Sequence, residues 1–186
     1  NNGLSVAINM YDYLPETDSN SPWMVDADVS YDGVKSARSG VLSENGGMTA
    51  MQVTVRGMGK LSFWWKAECE PDTEGEYYDY GVFRIGAADS SALAYIAGDS
   101  GWRRFETEII TAGKHVLRWE YHKDDAETYL RDCIWVDQVQ WIPADDSGHT
   151  LTTETPVPYS WLERYGFGAD TDFEVAAKMN LGKVDG

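Results

Sequence analysis

An all-β fold, a two-layer antiparallel β-sandwich with a short helical appendage at its C-terminal end, is predicted by this 186-residue sequence. Three observations carry the prediction. Eight Trp, eleven Tyr and five Phe are many for this length, and segments such as 48–56, 60–68 and 115–122 alternate with the two-residue period of a half-buried strand. Those segments are short and separated by turns rich in Gly, Asp and Asn. No strand–helix–strand rhythm interrupts them, which argues against a parallel α/β sheet.

Residues 4–10 read as an opening strand. Residues 12–47 are rich in turn signals, namely Asp18-Ser19-Asn20-Ser21-Pro22, Tyr31-Asp32-Gly33 and Asn45-Gly46-Gly47, with 36–40 as a short ordered crossing. Segment 48–56 sets Met51, Val53 and Val55 against Gln52, Thr54 and Arg56. Gly57-Met58-Gly59 turns the chain into 60–68. There Leu61, Phe63, Trp65 and Ala67 take the core side, and Ser62, Trp64, Lys66 and Glu68 the solvent side. Trp64 is out of keeping with that side, a large ring among polar residues. An acidic loop at 68–76 precedes a strand at 78–85. Further strands are expected at 93–96 and 105–110, the second after Gly98-Asp99-Ser100-Gly101 and Trp102. Ala112-Gly113 turns into 115–122, where Leu117, Trp119 and Tyr121 oppose Arg118, Glu120 and His122. A polar loop at 123–128 leads to the last strand, 133–141.

A chain of this length supports one core and a small appendage. The sandwich takes residues 1–143, and a polar, acidic stretch at 144–155 reads as a linker. In 156–186, Ser160 fits a helix N-cap with Glu163 completing a capping box, and Gly166 ends that helix. Asp170 or Thr171 caps a second helix through Met179, with Phe173, Ala176 and Ala177 as its apolar side. Helices this short do not hold together alone, so they either dock on the sandwich or belong to a larger module.

The formal charge of −16 disfavours nucleic acid and anionic membranes as partners, since there is no basic stripe to neutralise phosphates. Hard cations such as Ca²⁺ suit so many carboxylates, although an acidic surface also keeps a secreted protein soluble. No apolar run reaches the ~18 residues of a membrane span. The chain begins with Asn and shows no signal peptide, as either a processed or a trimmed chain would. Cys69 and Cys133 each lie in or beside a predicted strand. They can meet across a sheet as a disulfide worth about 3–4 kcal/mol, or stand as buried free thiols. No Cys-x-x-Cys pair or histidine cluster makes them a metal motif.

One set of motifs resembles a known module. The order Ser21-Pro22-Trp23, Tyr31-Asp32-Gly33, 36–40, 57–66, Gly101-Trp102, 113–119, Lys123-Asp124 and Trp135-Val136-Asp137 is similar to a β-sandwich module of secreted bacterial multidomain proteins. That module is distantly similar to MAM domains and to concanavalin-like, jelly-roll carbohydrate-binding modules. The tail from 157 to 177 resembles a small helical element that often follows such domains, cut short here at Gly186. The resemblance implies a secreted or cell-surface, non-catalytic recognition domain within a larger chain. Its ligand class would be carbohydrate; a structural spacer or protein-interaction role is the alternative.

By the same resemblance, jelly-roll carbohydrate modules hold a structural Ca²⁺ near their first and last strands. Asp137, on a core-facing position in line with Cys133, Trp135, Val139 and Trp141, is then the best-placed ligand, with Asp26, Asp28 and Asp32 available from the N-terminal region. The competing reading has the Asp137 carboxylate accept backbone N–H bonds or pair with an arginine such as Arg38. A sugar platform is available from Trp64 with Lys66 and Glu68, with Arg118, Glu120 and His122 on a neighbouring strand of the same face. Covering of Trp64 by the N-terminal segment or the C-terminal helices would remove it. Tyr78 and Trp102, with Tyr77 and Tyr80, offer a second platform at a sandwich edge.

No catalytic constellation is evident. His115, His122 and His149 lack zinc spacing, and no nucleophile elbow or phosphate loop frames the Ser, His and Asp present. Glu68 with Glu120 forms a glycosidase-like pair only because carboxylates are abundant.

Overall fold

Alternation within each aromatic segment sends one set of side chains inward, and the strands assemble around that set. The computed structural model describes residues 3–43, 46–73, 75–126 and 128–144. Nearly all of the expected linker, and the helical element at 156–186 with Ser160 and Glu163, lie outside the described residues. A short helix α1 (Gly3–Ala7) is followed by β1 (Glu16–Thr17), β2 (Met24–Asp26), β3 (Ser36–Arg38), β4 (Gly47–Arg56) and β5 (Met58–Glu68). Then come β6 (Tyr80–Ile85), β7 (Ala92–Ile96), β8 (Arg103–Glu106), β9 (Lys114–Lys123) and β10 (Cys133–Ala144). They form two antiparallel sheets of five strands: sheet I in the order β1-β4-β9-β6-β7, and sheet II in the order β2-β3-β10-β5-β8. The chain is therefore a two-layer antiparallel β-sandwich.

Strands β4, β5, β6, β7, β9 and β10 begin within two residues of the sequence expectation. Two regions differ. Residues 4–10 do not form a strand; α1 is one helical turn closed by Ile8 N–H to Leu4 O at 3.1 Å and Met10 N–H to Ser5 O at 2.9 Å. Leu4, Ala7 and Ile8 stand at helical spacing, a pattern too short to separate from strand alternation, and Asn9 ends the turn with φ 64°. The expected strand at 105–110 is displaced to Arg103–Glu106, and Ile110 makes an isolated bridge to Gly59 instead.

Phe63 on β5 is the centre of the core. Its ring meets Trp65 and Phe105 in sheet II and Phe83 and Trp119 in sheet I, at centroid distances of 4.8–5.5 Å. Met51, Val53, Val55, Leu117, Trp119 and Tyr121 are buried on the sides their alternation assigns them. Gly81 is required where β6 crosses Ile96 and Ile134, since a Cβ there would lie 2.8–2.9 Å from those side chains.

Contacts group the residues into two compact units, the larger made of 1–55, Ser62–Glu106 and Lys114–Gln140. The smaller contains Arg56–Leu61, Thr107–Gly113 and, among the described residues, 141–144. Within it Gly59 and Ile110 exchange N–H···O bonds of 3.1 and 2.7 Å, and the Trp141 ring fills the space a Gly59 Cβ would need.

Asp26 at the end of β2, and Tyr31 and Asp32 in the loop between β2 and β3, reach over the outward side chains of β10. Ile134 faces Gly81 across the core, so Trp135 and Asp137 point outward, contrary to the core-facing position expected for Asp137. Trp135 is nevertheless fully buried: its Nε1–H donates to Asp26 Oδ2 at 2.8 Å, and Arg38, Lys66 and Arg131 sit 5.5–6.0 Å from its ring centroid. Asp137 Oδ2 accepts Tyr31 N–H at 2.6 Å and Asp32 N–H at 3.3 Å, while Oδ1 accepts Gln138 N–H at 2.7 Å. Burial pushes its carboxyl pKa up despite those donors. Asp137→Ala would take from the Tyr31 and Asp32 N–H groups the acceptor they share, and urea unfolding should show a loss of about 2 kcal/mol. An unchanged midpoint would mean that this carboxylate does not anchor the segment.

Candidate functional site

The outer face of sheet I carries a continuous polar and aromatic row. Register sets it: Tyr80 lies opposite His122, Val82 opposite Glu120 and Arg84 opposite Arg118, all on the side away from Phe83 and Trp119. On β4 the same parity presents Gln52, which lies opposite Glu16 of β1. Gln52 Nε2 donates to Glu16 Oε2 at 2.8 Å and its Oε1 accepts from Arg118 Nη1 at 3.1 Å. Arg118 Nε then donates to Glu120 Oε1 at 2.5 Å. Glu120 Oε2 takes Arg84 Nε at 3.2 Å and contacts His122 Nε2 at 2.9 Å. Hydrogen bonds thus link side chains from β1, β4, β9 and β6.

Rings continue the row. His122 stacks on Tyr80 at 4.8 Å and 3°, and Tyr95 of β7 lies 5.9 Å from Tyr80. Tyr77 stacks on Tyr95 at 5.2 Å and 14°. Tyr77 and Tyr95 are exposed, at 41% and 46%. At the opposite end a groove of about 230 Å³ is lined by Glu16, Thr17, Asp18, Ala50, Gln52 and Arg118.

Electrostatics fix the middle of the row. The Glu120 side chain is only 2% exposed, which by itself would raise its pKa. Hydrogen bonds from His122, Arg118 and Arg84 outweigh that burial and hold the carboxyl down at about 2. It is therefore an anion throughout the neutral range, clamping two guanidinium groups in place. Among the described residues Arg118 Nη2 reaches the weak acceptor Met48 Sδ, at 3.9 Å, and so keeps donor capacity for a ligand.

The residues proposed from sequence as one face fall on two. Arg118, Glu120 and His122 belong to sheet I, whereas Trp64, Lys66 and Glu68 lie on β5 of sheet II and point to the opposite side of the sandwich. The Trp64 ring is stacked by Tyr31 at 3.9 Å and 12°, so the N-terminal segment occupies the surface a sugar would use. Lys66 Nζ pairs with Glu68 Oε1 at 2.6 Å, and Glu68 Oε2 with Arg131 Nε at 3.3 Å. Tyr78 and Trp102 do not form one platform either. Tyr78 Oη reaches Glu76, and Trp102 meets the edge of Tyr31. The separation also dissolves the Glu68–Glu120 pair. Arg84, Gln52, Glu16 and Tyr95 were not singled out from sequence; the parity of Tyr80 and Arg84 along β6 was the available signal.

Among the described residues, Asp26, Asp28, Asp32 and Asp137 do not bring three ligand oxygens within 4.8 Å of one another. Asp26 Oδ1 accepts Asp28 and Val29 N–H groups. Burial raises the Asp26 pKa, but the bonds from Trp135, Asp28 and Val29 outweigh it and leave the carboxyl below its ordinary value. Asp32 accepts Val34 N–H and Gln138 Nε2. Cys69 and Cys133 are free, not bridged. Cys69 Sγ donates to Asp79 O at 3.2 Å, whereas Cys133, on the outward parity of β10, accepts Arg38 Nε at 3.2 Å. Burial pushes their thiols up to about 12 and about 11, so neither is a nucleophile at neutral pH. Among the described residues no helix is long and apolar enough to cross a membrane.

No protein-family model matches the chain, and no curated protein resembles it in sequence. Solved structures align with part of it. TmCBM61, determined in complex with β-1,4-galactotriose, aligns over 71% of this chain and 88% of its own, at TM-score 0.47 and 10% identity. The CBM22-2 xylan-binding domain of Paenibacillus barcinonensis Xyn10C aligns over 70% and 91%, at 0.45 and 17%. The secreted serine protease VesC of Vibrio cholerae aligns over 66% of this chain but 24% of its own, at 0.45 and 11%. At such identities and TM-scores the likeness extends to neither ligand nor activity.

Proposed function

We propose that this chain is a non-catalytic, extracellular recognition module that binds carbohydrate on the outer face of sheet I. The observation that carries the reading is the single row of fixed donors, acceptors and rings across β1, β4, β9, β6 and β7. Sugars present hydroxyls at their edges and C–H groups on their faces, which ask for planar hydrogen-bonding groups beside aromatic surface. Here the planar groups are held by one another, so a ligand meets a preorganised site. Four steps between strands span about 19 Å, which suits an extended oligosaccharide better than one terminal sugar. Glu120 is locked as an anion by His122, Arg118 and Arg84 and is not poised to donate a proton to a leaving group, which supports binding rather than hydrolysis.

The test is a glycan array of the full chain, followed by titration of the glycan class that binds. Tyr95→Ala and Gln52→Ala should each weaken binding by about tenfold while leaving the fold intact, and Trp64→Ala should not weaken it. A blank array with folded protein would return the module to a spacer or protein-contact role. Loss in Trp64→Ala alone would move the site to sheet II.

A further inference from the structure

Lys123 sits on the inward side of β9 with 1% of its side chain exposed. Its Nζ meets Asp79 Oδ2 at 3.2 Å and Asp132 Oδ2 at 2.9 Å, so one ammonium answers two carboxylates. Two more acids converge on Asp79. Glu70, from the loop after β5, and Asp124, directly after β9, each bring an oxygen within 4.8 Å of the other and of an Asp79 oxygen. Asp79 immediately precedes β6, which pairs with β9 through Tyr80 and His122, so the acids gather at one end of sheet I.

A separate observation points to a missing partner. Glu70 Oε2 is shut off from solvent and, among the described residues, meets no hydrogen-bond donor. Its neighbours are satisfied in part: Asp79 Oδ1 accepts Asp124 N–H at 2.9 Å, and Asp124 Oδ1 accepts Ala126 N–H at 2.8 Å. A carboxylate oxygen closed off from solvent and facing no protein donor, beside two further carboxylates, calls for a cation. Oxygen-only donors suit a hard cation, and carboxylates from loop ends, which can accept an irregular shell of six to eight ligands, favour Ca²⁺ over the strict octahedron of Mg²⁺.

We propose that Glu70, Asp79 and Asp124 form a Ca²⁺ site that ties the loop between β5 and β6 to the end of β9. It is separate from the Asp26, Asp28, Asp32 and Asp137 set. It also does not depend on what the outer face of sheet I binds. Carboxylates supply most of the ligand oxygens, and water completes the shell.

The full chain, dialysed against EDTA and then freed of chelator, is titrated with Ca²⁺ by calorimetry and with Tb³⁺ by aromatic-sensitised luminescence. One Ca²⁺ per chain should bind and raise Tm. Glu70→Gln and Asp124→Asn should each weaken it about tenfold or more, and Asp28→Asn should leave it unchanged. Without metal, Glu70→Gln should melt no lower than the wild type, because it removes an unpartnered charge. That keeps the variant folded for the comparison. A folded wild type giving neither heat nor luminescence overturns the site. So does binding that survives both Glu70→Gln and Asp124→Asn, or that is lost in Asp28→Asn alone.

Discussion

Glu120→Gln should lower stability by about 3–5 kcal/mol in urea unfolding. The carboxylate is buried at the meeting point of Arg84, Arg118 and His122, and removing its charge leaves two guanidinium groups with 15–16% exposure facing each other without a counter-ion. The effect carries a pH signature. Glu120 titrates at about 2 in the folded chain against its ordinary 4.5. A depressed folded value means that the stabilisation is fully present above pH about 4.5 and is lost as pH falls toward 2, a change of about 3 kcal/mol. Stability measured from pH 5 down to 2 should therefore fall more steeply in the wild type than in Glu120→Gln. Parallel curves would show that the carboxylate is not held by those cations. Loss of the carboxylate should also loosen Arg118 and Arg84, so glycan binding should weaken even where the variant remains folded.

The strand pattern of this fold was legible because parity is a local property. Met51, Val53 and Val55, and Leu117, Trp119 and Tyr121, declare a buried side without reference to any other strand. The candidate site was only half legible, for the complementary reason. Parity places Arg118, Glu120 and His122 outward on β9 and Trp64, Lys66 and Glu68 outward on β5, but it does not say that the two strands belong to opposite sheets. Neighbours of β9 are set by long-range pairing, which brings Tyr80 and Arg84 on one side and Gln52 on the other. Cover is equally invisible in the local pattern. Trp64 has the composition of a platform, and only the return of the N-terminal segment puts Tyr31 on its face. The same return explains Trp135 and Asp137, which are outward by alternation and yet fully buried.

Phe63→Ala should cost about 3–5 kcal/mol, comparable with Glu120→Gln but through a different physical term. Phe63 is wholly buried and its ring contacts aromatic side chains of both sheets. Truncation removes transfer free energy and opens a space that four rigid rings do not readily refill. No charge changes, so the loss should be the same at pH 7 and pH 4, in contrast to the acid-dependent loss at Glu120. Leu93→Ala, at a residue 50% exposed, should shift stability by no more than about 0.5 kcal/mol. Unfolding of Phe63→Ala should also remain a single transition, because Phe63 joins sheet I to sheet II and neither sheet keeps its buried face without the other. Two resolved transitions, or a loss below about 1 kcal/mol, would mean that the sheets are held together elsewhere. In that case the row on sheet I would rest on a separately stable layer, and its geometry would no longer depend on the shared core.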